Sequence, residues 1–268
     1  MISNLIGRFF CWLRDAICRG LVRTGVRPNH LSVVGMLLTM GAGVAIALGR
    51  CHWQTWALGL MFGAGACDIL DGRLAKMGGL ETRFGGILDS VCDRMSDAAL
   101  FFGMAIYYIT TPDAAPGTAH PNMTLVLLAL AGFVWAYLIS YIKARAESAG
   151  VPAGGGFWQR PERCVTIFLG VGFLHLPTVL WILGLWPITT VLHRFWRVRR
   201  SCKALEAGQA REAVEAMQPR GLAAPFLWRW ARGTWQFDIQ AGATVLMLIF
   251  WDLPPIDPLR DLIARLLG

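Results

Sequence analysis

Residues 54–71 read QTWALGLMFGAGACDILD, and residues 85–97 read GGILDSVCDRMSD. The first stretch opens as an apolar run that, as a helix, covers about 25 Å, close to the thickness of a bilayer's hydrocarbon. It runs directly into Asp68 and Asp71, three residues apart. The second presents Asp89 and Asp93, four apart, and passes into the apolar residues 98–110. Spacings of three and four place each pair on one helix face, so two helices offer four carboxylates to one place.

Working outward, further apolar runs lie at 31–49, 123–142, 164–176 and 178–192. The chain has 268 residues, 55% hydrophobic and 16% charged, which points to lipid as its solvent. The expected fold is an all-α membrane protein with six transmembrane helices. Residues 239–253 (IQAGATVLMLIFWDL) are apolar but brief, and suit a seventh span, a buried helix or an interfacial segment equally.

The net charge of +8 is distributed by position. Arg8, Arg14, Arg19, Arg23 and Arg27 precede the first run, Arg73, Lys76 and Arg83 follow the second, and Lys143, Arg145, Arg160 and Arg163 follow the fourth. The alternate connections are almost free of Lys and Arg. By the positive-inside rule the N-terminus, the loops after even-numbered spans and the region from 193 to about 236 face the cytoplasm. The basic excess therefore needs no nucleic-acid partner. Residues 1–27 interleave Ile2, Leu5, Phe9, Phe10, Leu13, Ile17 and Leu21 with arginines, the pattern of an amphipathic helix on the membrane surface, and show no uninterrupted apolar core of a cleavable signal. The seven cysteines lack metal-ligand spacing and read as free thiols. Residues 197–220, charged and rich in Ala and Glu, read as a soluble helical excursion.

Four anions at a membrane boundary repel one another and are poorly solvated, unless cations compensate. Pairing with Arg73, Arg83 and Arg94 accounts for one or two of them. A divalent metal accounts for the set: oxygen-only ligation suits Mg²⁺, Mn²⁺ or Ca²⁺, and Mg²⁺ typically combines a few carboxylates with phosphate oxygens. A phosphoanhydride is the natural guest. Gly72, Gly85 and Gly86 serve either close helix packing or the approach of a nucleotide to the backbone. The runner-up from another class, a metal-ion transporter, places its acids along a path through the bilayer rather than at one face.

The stretch from Asp68 to Asp93 resembles the signature of the CDP-alcohol phosphatidyltransferases, D-x-x-D-G-x-x-A-R-x8-G-x3-D-x3-D. Lys76 is the one departure at a fixed position, keeping a cation but losing the planar fork of Arg. The resemblance implies that Asp68, Asp71, Asp89 and Asp93 hold metal, Mg²⁺ or Mn²⁺, as two ions, and that Asp93 is also the general base. It implies a nucleotide site formed by Asn29, Ser32, Asp68, Gly72, Ala75, Lys76, Thr82 and Gly85. The donor it implies is CDP-diacylglycerol, and the assembly a homodimer in a bacterial plasma membrane. Within the family, SYIKARAE at 140–147 and RPER at 160–163 are similar to segments of the bacterial phosphatidylinositol-phosphate synthases. That similarity implies inositol 1-phosphate as acceptor, its phosphate bound by Lys143, Arg163 and Arg194 with Ser140, Arg145 and Arg160 nearby. Glycerol 3-phosphate or another polyol phosphate is the alternative acceptor. The implied layout is a juxtamembrane helix over 1–27, a catalytic membrane domain over 28–198 and an extension of unknown role over 199–268.

Overall fold

The computed structural model describes residues 2–111, 121–151, 153, 156–209, 235–250 and 258. Helices α1 (Ile2–Arg23), α2 (Pro28–Leu48), α3 (Trp53–Gly78), α4 (Arg83–Thr110), α5 (Met123–Ser148), α6 (Arg160–Gly172), α7 (Leu176–Leu185), α8 (Ile188–Glu206) and α9 (Trp235–Phe250) account for its regular structure, with no strand among the described residues. The chain divides into two compact units, Met1–Gly103 and Met104–Gly268, the boundary falling inside α4.

In the first unit, α2 starts at Pro28, whose fixed φ suits a first helical turn and whose missing N–H would be unpaired there anyway. α3 continues through both aspartates and stops at Gly79, which takes φ 61 and returns its N–H to the Ala75 carbonyl. Small residues bring these helices close. A Cβ on Gly43 of α2 would overlap the Ala99 carbonyl of α4, and a Cβ on Gly103 would overlap the Gly43 backbone. A Cβ on Gly35 would stand 3.2 Å from the Cys67 Cβ of α3, a tight but lesser contact.

In the second unit, Asn122 caps α5 by accepting the Leu125 N–H at 3.1 Å. Trp135 on α5 donates its indole N–H to the Gly184 carbonyl of α7 at 2.7 Å. α9 docks here too, because the His175 ring bonds the Leu248 carbonyl at 2.7 Å and Leu248 is fully buried.

Among the described residues, three stretches are long and apolar enough to cross a membrane: Pro28–Leu48, Met123–Ser148 and Leu176–Glu206. Several boundaries differ from the apolar runs. α3 extends eight residues beyond residue 70, and α4 starts at Arg83, fifteen residues before 98, so both carboxylate pairs sit on continuous helices. The run expected at 164–176 is a 13-residue helix ending at Gly172, about 20 Å long and short of the hydrocarbon thickness. The run at 178–192 is divided between α7 and α8, because Pro187 lacks the N–H to continue the ladder. Residues 197–206 prolong α8 rather than opening a separate excursion, and 210–234 lie outside the described residues. The stretch 239–250 is helical within α9, whose 16 residues reach about 24 Å.

Candidate active site

Three helix ends meet around a cavity of about 240 Å³ in the first unit. The first turn of α2 supplies Pro28, Asn29 and Ser32, α3 supplies Asp71, Gly72, Ala75 and Lys76, and the start of α4 supplies Gly85, Gly86 and Asp89. Leu80, Glu81 and Thr82, between α3 and α4, complete the lining. Of the eight residues expected around a nucleotide, seven line this cavity, Asp68 being the exception.

Local chemistry explains the arrangement. Thr82 caps α4, its hydroxyl oxygen accepting the Gly85 N–H at 2.9 Å. Gly85 lets α4 approach α2, since a Cβ there would stand 3.0 Å from the Thr82 hydroxyl and 3.2 Å from the Asn29 side-chain oxygen. At Gly72 a Cβ would meet nothing within 4 Å and would project into the cavity. Gly72 and Gly86 therefore keep space rather than fit a neighbouring helix, whereas Gly85 does pack.

The four aspartates divide three to one. Asp68, Asp89 and Asp93 bring one carboxylate oxygen each to within 4.8 Å of one another. Opposite ligands of Mg²⁺ stand about 4.2 Å apart, twice a bond of about 2.1 Å, so the trio needs only slight closure around such an ion. All three donors are hard oxygens, which fits Mg²⁺ or Mn²⁺. Asp71 is buried and accepts the Ser32 hydroxyl at 2.7 Å, anchoring α2 to α3 at the cavity wall. Arg94 stands 3.7 Å from Asp93 and 4.0 Å from Asp97, and Arg73 turns away to Asp15.

The expected acceptor residues belong to the second unit. Arg194 on α8 is buried and donates to the Ile139 carbonyl of α5, which places it beside Ser140. Arg163 is also buried and donates to the Trp158 carbonyl at 2.9 Å. Arg160 is half-buried, Lys143 and Arg145 are exposed, and Lys143 lies 3.9 Å from Glu147 one turn on.

The sequence profile of the CDP-alcohol phosphatidyltransferases matches residues 26–204, two thirds of the chain. The chain belongs to this family. The phosphatidyltransferase is an integral membrane enzyme of phospholipid biosynthesis. It is similar to the phosphatidylinositol phosphate synthase of Mycolicibacterium smegmatis, 34% identical over 204 residues, covering 72% of this chain and 87% of the relative. The synthase of Mycobacteroides abscessus is 33% identical over 235 residues, 81% of this chain and 100% of the relative. Among solved structures, the Mycobacterium tuberculosis phosphatidylinositol phosphate synthase with CDP-DAG bound superposes with a TM-score of 0.63 at 30% identity, covering 72% of this chain and 96% of that one. The same synthase in complex with manganese and citrate gives a TM-score of 0.63 at 30% identity, covering 72% and 91% of the two chains.

Sequence reasoning missed several features of the transferase. Leu80 and Glu81 join the cavity lining from the short α3–α4 connection. The Asp15 partner of Arg73 is separated by 58 residues, and no local spacing announces it. Trp158 and His193 of the second unit are fully buried with ring N–H or N positions that no hydrogen bond engages. A lone aromatic at a span end looks ordinary in sequence.

Proposed function

We propose that this phosphatidyltransferase moves the phosphatidyl group of CDP-diacylglycerol onto inositol 1-phosphate, giving phosphatidylinositol phosphate and CMP. The observation that carries the reading is the first unit's cavity, where Asn29, Ser32, Gly72, Ala75, Lys76, Thr82 and Gly85 surround a nucleotide-sized space next to Asp68, Asp89 and Asp93. In this reading the cytidine diphosphate enters over Gly72, which leaves room for it, and Lys76 offers a cation to the diphosphate. Asp68, Asp71, Asp89 and Asp93 hold two divalent ions, Mg²⁺ or Mn²⁺, with Ser32 orienting the Asp71 carboxylate. When bound, the metal neutralises the diphosphate and the charge building on departing CMP.

Asp93 acts as general base. Its carboxylate takes the proton from an inositol hydroxyl, whose oxygen bonds the lipid-side phosphorus while the anhydride P–O bond breaks and CMP leaves. Arg163, Arg194 and Lys143 bind the acceptor's phosphate, assisted by Ser140, Arg145 and Arg160. The same reading has six spans, α1 as an amphipathic helix on the cytoplasmic membrane surface, the active site facing the cytoplasm of a bacterial plasma membrane, and a homodimer. It takes residues 1–27 as the juxtamembrane helix, 28–198 as the catalytic domain and 199–268 as an extension.

Purified protein with CDP-diacylglycerol and Mn²⁺ tests the acceptor. CMP release with inositol 1-phosphate, exceeding that with free inositol, glycerol 3-phosphate or serine, supports it. Preference for glycerol 3-phosphate would transfer the assignment to that polyol phosphate, and preference for serine or free inositol would remove the phosphate pocket from the account.

A further inference from the structure

Arg73 follows Gly72 immediately, yet its side chain leaves the cavity and reaches α1. Its Nε donates to one Asp15 carboxylate oxygen at 2.9 Å and a terminal nitrogen donates to the other at 2.8 Å. The guanidinium and carboxylate therefore meet fork to fork, the geometry that fixes orientation as well as distance. Arg14 adds a bond to Asp15 at 3.0 Å. One turn along α1, Cys18 is buried with its thiol 3.8 Å from the Leu70 carbonyl. The inward face of α1 thus rests on residues 70–73 of α3, the backbone that carries Asp71 and Gly72.

From Arg23 only Thr24 to Arg27 separate α1 from α2, with Gly25 at φ 72 turning the chain. α2 opens with Pro28, Asn29 and Ser32, all cavity residues, and Ser32 returns to Asp71 on α3. A closed circuit results, running from Arg73 to Asp15, along α1, through a short turn to α2, and back through Ser32 to Asp71.

We propose that Asp15 and Arg73 are positioning residues that hold the first turn of α2 against α3 and so set the affinity of the cavity for CDP-linked lipid, without touching it. The inference rests on the nucleotide reading of that cavity. The two side chains keep 24% and 36% of their surface exposed, and exposed pairs add little to global stability, so the effect belongs to local geometry.

The test uses the full chain in lipid vesicles with saturating acceptor and Mn²⁺. Asp15→Asn and Arg73→Met each raise KM for CDP-diacylglycerol about fivefold, with kcat and acceptor KM within about twofold of wild type. The exchange Asp15→Arg with Arg73→Asp, which restores a pair, brings KM back to within about twofold. Unchanged KM in both single variants overturns the proposal, whatever happens to the melting temperature, and so does an equal fall in kcat with no change in KM. Gly72→Ala run in parallel separates the two readings. If it raises KM while Asp15→Asn does not, the positioning role alone falls, and if neither does, the nucleotide reading falls with it.

Discussion

Gly72→Ala separates what the fold needs from what the reaction needs. Gly72 lies inside α3, where alanine is favoured over glycine by about 1 kcal/mol per residue. A Cβ at this position meets nothing within 4 Å, so no clash offsets that gain and the variant melts higher than wild type. The same methyl points into the 240 Å³ cavity beside Asp71 and Ala75. One methyl in a closely fitted contact costs about 1–3 kcal/mol, which lowers kcat/KM for CDP-diacylglycerol roughly 5- to 150-fold. CMP release at varied CDP-diacylglycerol, alongside thermal unfolding in detergent, reads both effects. A variant that is more stable and retains kcat/KM within about twofold would refute the placement of the nucleotide over Gly72.

Three further outcomes follow from the geometry. Ser32→Ala removes the hydroxyl from buried Asp71 and destabilises the protein by about 1–3 kcal/mol, visible as a lower melting temperature together with lower kcat/KM. Gly43→Ala drives a methyl into the Ala99 carbonyl and lowers the melting temperature, whereas Gly65→Ala, with nothing within 4 Å, does not. The hydrogen bond from Arg73 holds the Asp15 carboxyl below the usual carboxylate range despite some desolvation. A carboxyl whose pKa is lowered on folding contributes above its unfolded pKa, about 3.9, and loses that contribution as pH falls through the folded value. Spin-label distances between α1 and α3 therefore stay constant from about pH 8 to 5 and broaden only below about 4; broadening near neutrality would contradict the pairing.

Much of this was readable from spacing. Carboxylates three and four apart on apolar helices announce a shared face, and the structure gathers Asp68, Asp89 and Asp93 within 4.8 Å. Spacing could not show that Asp71 turns to Ser32, because that partner lies 39 residues away on another helix. Nor could it show Arg73 bound to Asp15, since an arginine beside four aspartates looks like their counterion. Helix boundaries failed where backbone chemistry overrode hydropathy: Pro187 divides the sixth apolar run, and the fifth ends early where Leu174 takes φ 60 and the His175 N–H returns to the Gly170 carbonyl. Helices α3 and α4 outlast their apolar runs, because a helix ends at its caps, Gly79 and Thr82, rather than where the lipid does.

The most direct test of the central claim, that the aspartate cluster of the first unit performs metal-dependent phosphatidyl transfer, is CMP release by Asp93→Asn at matched Mn²⁺ occupancy. Paramagnetic resonance of bound Mn²⁺ sets the occupancy, and CDP-diacylglycerol with inositol 1-phosphate supplies the reaction. The account predicts that Mn²⁺ remains bound through Asp68 and Asp89 while CMP release falls at least about 100-fold. Turnover at the wild-type rate with the metal in place would contradict it.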